Sequence, residues 1–81
     1  MKFNEVVEIT KFLFNNKIAA HIDTKDEAYF NGMIIEIHET FLVLADRYWG
    51  MTPIGFSDIQ TIEKFRSKEE EAKDEKEIST M

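Results

Sequence analysis

The spacing of apolar positions changes near residue 17. Before it, Phe3, Val6, Val7, Thr10, Leu13 and Phe14 follow the i, i+3, i+4 rhythm of one helical face. Ile9 widens that face, Phe12 falls outside it, and Glu5, Glu8 and Lys11 lie opposite. The pattern predicts a helix over 4–15, with Asn4 as N-cap and Glu5 in the first turn, where the helix dipole favours an acid. Asn15-Asn16 is the expected stop, because Asn tolerates the left-handed conformation of a helix end. A strand is the alternative here, since Val, Ile and Phe are common in the segment.

From Lys17 onward the period is two, and five strands follow. Ile18, Ala20 and Ile22 alternate with Ala19, His21 and Asp23. Thr24 to Glu27 reads as a polar turn. Tyr29 to His38 is a long strand holding Gly32, and a glycine inside a strand marks a bend or a bulge. After the turn His38-Glu39-Thr40, the unbroken apolar run Phe41 to Ala45 predicts a strand that is buried on both faces or lies centrally in the sheet. Asp46 to Gly50 is a loop. Thr52, Ile54 and Phe56 alternate along a fourth strand whose Pro53 suits an edge or a strand start. Ser57-Asp58 turns into a fifth strand, Ile59 to Phe65.

The pattern stops at Arg66. Residues 67–81 carry Lys68, Lys73 and Lys76 against Glu69, Glu70, Glu71, Asp74, Glu75 and Glu77, with no apolar stripe to bury. The expectation is a charged, disordered tail, with helical i, i+4 pairs such as Glu69–Lys73 as the other conformation open to it. The chain thus divides into a domain at 1–66 and a tail at 67–81.

Composition narrows the function. At 81 residues the chain is one small domain, and such domains gain stability from disulfides, a metal or oligomerisation. It has no cysteine and two histidines, so disulfides are excluded and a structural zinc site is not expected. A site built from His21, His38 and one acid is the remaining metal alternative. Oligomerisation is left as the means of covering surface. The net charge of −6 divides equally between body and tail. An acidic body argues against general attraction to phosphate backbones. No signal peptide and no apolar run of about 20 residues is found, so a cytoplasmic protein without membrane contact is expected.

Two groups of residues could carry chemistry. Arg47, Tyr48 and Trp49 share one loop and could stack on bases or anchor a protein partner. They could equally cover the end of the domain. His38, Glu39, Thr40, Ser57 and Asp58 occupy two turns. His38 could stack on a base, whereas Ser57 and Asp58 could simply close a turn through their side chains. No strand–turn–helix motif surrounds Ser57 and no glycine-rich phosphate loop exists, so neither an enzyme nor a cofactor is expected.

The segment Phe30-Asn31-Gly32-Met33-Ile34-Ile35-Glu36-Ile37-His38-Glu39-Thr40-Phe41-Leu42-Val43-Leu44-Ala45-Asp46 resembles the first motif of Sm-like proteins, the family that includes bacterial Hfq. The apolar positions two and five residues after Gly32 are Ile34 and Ile37, as in the family's pattern. Ile54-Gly55-Phe56-Ser57-Asp58-Ile59-Gln60-Thr61-Ile62 resembles the second motif in length and apolar spacing. The resemblance covers about 4–66. It implies an N-terminal helix followed by a five-stranded, strongly bent antiparallel small barrel, with the second strand bending at Gly32.

The resemblance also implies a homo-oligomeric ring of roughly five to seven subunits, joined head to tail through the fourth and fifth strands. In the family, the two turns at 38–40 and 57–58 line a pore and hold single-stranded RNA. Here the chain departs from the pattern. His38 replaces the usual aspartate, Leu42 the usual asparagine, and Phe56-Ser57-Asp58 the basic pair of the second motif. Those departures favour a module without nucleic acid, but the family resemblance and the aromatic-basic loop make an RNA-binding Sm-like ring the expected function. The alternative is an oligomeric protein-interaction or scaffolding module that binds no nucleic acid.

Overall fold

The computed structural model describes residues 1–66. The expectation of a disordered tail at 67–81 lies outside the described residues. Helix α1 (Phe3–Asn15) is followed by β1 (Ala20–Thr24), β2 (Tyr29–Ile37), β3 (Phe41–Asp46), β4 (Gly50–Gly55), a single 3-10 turn at Phe56–Asp58, and β5 (Ile59–Lys64). Among the described residues the fold is mostly β: one α-helix and one five-stranded antiparallel sheet in the order β4-β3-β2-β1-β5.

Both ends of α1 differ from expectation. The ladder begins with the Val6 N–H on the Lys2 carbonyl at 3.0 Å, so the helix starts at Phe3 and Asn4 lies inside it. Lys2 takes the capping position without a side-chain bond. At the other end the left-handed residue is Lys17, with φ of 54°, rather than an asparagine. The Ile18 N–H reaches back to the Leu13 carbonyl at 2.9 Å and the Lys17 N–H to Phe14 at 3.2 Å, the paired bonds that satisfy orphan carbonyls at a helix end. Asn16 contributes through its side-chain amide, which donates to the Phe12 carbonyl at 2.7 Å. Because Ile18 is tied to the helix, β1 begins two residues later, at Ala20.

The predicted helical face splits in depth. Val6, Thr10 and Leu13 are buried, while Phe3 and Phe14 stay exposed at its margins and Phe12 faces outward. Phe3 still touches the sheet, meeting the Phe56 ring edge-on at 6.1 Å between centroids. Thr10 fits among apolar neighbours because its hydroxyl donates to the Val6 carbonyl at 2.7 Å. Facing α1 across the core are Ala20, Ile22, Ile34, Leu42, Leu44, Ile54, Phe56, Ile59 and Ile62. In β1 and β3 the buried residues alternate with half-buried ones, while Ile59 and Ile62 of β5 are three apart and Phe56 enters from the 3-10 turn; one face of the sheet is the core and the other is not.

The sheet bends strongly. β4 and β5 are joined by only the three residues 56–58, yet they form its opposite edges. Five flat strands would hold the edges about 19 Å apart, whereas a 3-10 turn spans roughly 2 Å per residue. The sheet therefore curls until the C-terminal end of β4 meets the start of β5. Register breaks at Ile34/Glu36 between β2 and β3, and at Asp23/Thr24 between β1 and β5, supply local bending. Curling does not close the sheet into a barrel. β4 pairs only with β3 and β5 only with β1, so each keeps an unpaired edge among the described residues.

At Gly32 the structure shows a close approach of two backbones. This glycine lies opposite Asp46, and a Cβ built on it would stand 1.9 Å from the Ala45 carbonyl oxygen. The glycine lets the backbones of β2 and β3 approach, and the register break falls further along the strand, beyond Ile34. Ile34 is buried and Ile37 packs against the core from its edge.

Candidate functional site

The sequence candidates fall into two groups at opposite ends of β3, about 17 Å apart along the strand. At its start lies the turn 38–40, which the 3-10 turn approaches. The Phe56 N–H donates to the Thr40 carbonyl at 3.0 Å, and the Asp58 carbonyl accepts the Lys25 N–H at 2.9 Å. His38, Glu39, Thr40, Ser57 and Asp58 are all exposed there. His38 is engaged within its own hairpin: its ring stacks on Phe41 at 4.4 Å and an interplanar angle of 19°, and Nε2 sits 3.2 Å from Glu36 Oε1. With Glu36, Glu39 and Asp58, this end is rich in acids.

At the other end of β3, Asp46 builds the loop. Its carboxylate accepts the Asn31 N–H at 2.9 Å on Oδ1, and the Tyr48 and Trp49 N–H groups at 2.8 Å each on Oδ2. The residue is 8% exposed. Burial pushes its carboxyl up, but the N–H groups of Trp49, Tyr48 and Asn31 and the charge of Arg47 outweigh that, holding it below its ordinary value. Gly50 then returns the chain into β4 with φ of 73°, a conformation glycine adopts at no steric cost.

This anchoring turns Tyr48 and Trp49 outward, 83% and 75% exposed. It also separates the predicted aromatic-basic cluster. The Arg47 guanidinium carbon lies over the Phe65 ring at 5.6 Å, and Arg47 does not line the groove beside Tyr48 and Trp49. Their neighbours come instead from the start of β2. The Arg47 N–H donates to the Asn31 carbonyl at 3.0 Å, which lays the loop beside the β1–β2 turn. Glu27, Tyr29, Asn31, Asp46, Tyr48 and Trp49 line one open groove of about 550 Å³. Tyr29 is itself 64% exposed.

No family model matches this chain, and no curated protein matches its sequence.

Two features escaped the sequence reading. The first is Tyr29 and Glu27 in the groove; they follow only from the β2–β3 register, which sets Gly32 against Asp46 and so carries the start of β2 past the loop. The second is a polar cluster on the outer face of the sheet. His21 Nδ1 pairs with Asn31 Oδ1, and His21 Nε2 lies 3.2 Å from Asp23 Oδ1. The Thr61 hydroxyl donates to Asp23 Oδ2 at 2.9 Å. The alternation of β1 signals which residues face outward, but not that they meet. His21 and His38 belong to different clusters, and no three ligating side chains converge among the described residues.

Proposed function

We propose that this chain is a divergent Sm-like subunit whose copies join edge to edge, β5 of one beside β4 of the next, into a homo-oligomeric ring. The ring is a binding module, not a catalyst, and its partner is a protein. The observation that carries the assembly is the pair of unpaired edges at the two ends of one curled sheet, held together by the turn at 56–58. Open edges invite another strand, and a head-to-tail contact closes when its rotation allows. A core of eleven buried apolar residues among the described ones is small, which adds to the case for covering surface by assembly.

The protein partner is supported by charge. Acids outnumber bases at both candidate ends: Glu36, Glu39 and Asp58 against Lys25 at one, Glu27 and Asp46 against Arg47 at the other. The balance disfavours phosphate at both. A second reading, single-stranded RNA held by the ring, draws on the exposure of Tyr48 and Trp49, whose faces could stack on bases.

Light scattering tests the ring, with roughly five to seven copies expected. A stable monomer at tens of micromolar would sink it. Titration with oligo-U and oligo-A at two salt concentrations separates the partners. An absence of binding at low salt, where phosphate contacts are strongest, retires RNA. Salt-sensitive binding restores it.

A further inference from the structure

The groove beside the β3–β4 loop has a composition that points to a particular ligand chemistry. Three aromatic side chains line it, Tyr29, Tyr48 and Trp49, from two segments distant in sequence. All three are more than 60% exposed, although aromatic surface of this size is normally put to use in packing. Two acids, Glu27 and Asp46, share the lining and no lysine or arginine does; the Arg47 charge acts on Asp46 from outside it, so Glu27 carries the uncompensated charge. Aromatic faces carry negative potential and attract cations; adjacent carboxylates add to the same field.

We infer that this groove binds the methylated ammonium group of a lysine side chain in a peptide. The inference rests on the reading of the chain as a protein-binding module, and not on the ring. Charge complementarity sets the sign of the ligand. The state of the acids sets its kind. Asp46 already accepts three backbone N–H groups, so it supplies field more than directed acceptors. A guanidinium asks for bidentate acceptors in a fixed plane. A trimethylammonium asks for none, is weakly hydrated, and is bound by ring faces and nearby negative charge. Glu27 lies in the β1–β2 turn with a left-handed φ of 68°, is exposed, and lines the groove.

The test uses the whole chain and four probes: a short peptide with trimethyl-lysine, the same peptide with unmodified lysine, the same with acetyl-lysine, and oligo-U. Trp49 is the chain's single tryptophan, so its emission reports occupancy directly. The trimethyl-lysine peptide is expected to bind and shift that emission, the lysine peptide more weakly, and the neutral acetyl-lysine peptide at least about tenfold more weakly. Tyr29→Ala and Tyr48→Ala are expected to weaken binding about tenfold each, and Glu27→Gln severalfold. Calorimetry replaces emission for Trp49→Ala, with a similar loss expected. These side chains are exposed, so unchanged circular dichroism is expected to show that the variants fold. Equal affinity for acetyl-lysine, absence of binding at millimolar peptide, or a Trp49 response to oligo-U alone would overturn the inference. Light scattering on the same samples reports the ring separately. Peptide binding by a monomer drops the ring and keeps the groove; a ring that ignores the peptides does the reverse.

Discussion

The Asp46 carboxylate holds the Trp49 backbone N–H at 2.8 Å, so a nearly buried charge fixes the root of an exposed indole. The same oxygen takes the Tyr48 N–H, and the other takes that of Asn31 on the neighbouring strand. One side chain thereby sets both the shape of the loop and its distance from β2.

Removing it is expected to be costly. Asp46→Ala takes away three charge-assisted bonds, and although the loop donors can turn to water, the loss is expected to be about 2–3 kcal/mol in urea unfolding. Trp49 emission in the folded variant should change as well, because the loop loses its anchor.

Acidity offers a gentler probe of the same group. Burial raises the Asp46 carboxyl, and the three N–H groups with Arg47 lower it further than burial raises it, leaving it below its ordinary value of 3.8. A depressed folded-state value contributes stability above the unfolded value and loses it as pH falls through the folded one. The urea midpoint should therefore decline as pH drops below about 4. Asp46→Asn should start lower at neutral pH and decline less over that window.

Two glycines separate crowding from conformation. Gly32→Ala would drive a Cβ into the Ala45 carbonyl, which is backbone and cannot step aside, so β2 and β3 must part. The expected cost is roughly 3 kcal/mol or more by thermal or urea unfolding. Gly50→Ala meets open space and carries only the left-handed penalty, about 1–2 kcal/mol.

In the helix, Thr10→Val should be almost silent. The Val6 carbonyl that accepts the hydroxyl is also within reach of the helical N–H of residue 10, so no buried group is orphaned. A change within about 0.5 kcal/mol is expected, against about 2 kcal/mol for Val6→Ala beside it, which opens a cavity.

The proposed ring has its own signature in amide exchange. Protection of β4 and β5 should fall on dilution, because their outer N–H groups would be covered only by a neighbour. Protection in β2, which is paired on both sides within the chain, should not. Exchange independent of concentration across β4 and β5 would contradict edge-to-edge assembly.

Much of this architecture could be read from residue order, because period carries burial. The switch from helical to alternating spacing near Lys17 places α1 and β1 within two residues of where they lie, and the Phe41 to Ala45 run marks a strand paired on both sides, although only Leu42 and Leu44 of that run are buried and its other face is half-open. What escaped depends on partners far along the chain. Lys17 in the left-handed position follows from the bonds of Ile18 and Phe14, not from any preference of lysine. That Gly32 admits the Ala45 carbonyl could not be read from spacing, because that neighbour is defined only by register. Arg47 looked like part of an aromatic cluster because it adjoins Tyr48, but its guanidinium settles on Phe65. Tyr29 entered the groove through pairing alone.

The contact between Gly32 and the Ala45 carbonyl also has a use as a fingerprint. It allows no side chain at 32, and the next position along β3 is the aspartate that ties the loop, followed by the left-handed Gly50. Kin of this protein can diverge at almost every apolar position, since one aliphatic residue can replace another. They should keep a glycine facing an aspartate across the second hairpin, with a second glycine where the loop ends. A search keyed to that triplet and its spacing, rather than to overall likeness, is the one most apt to find them.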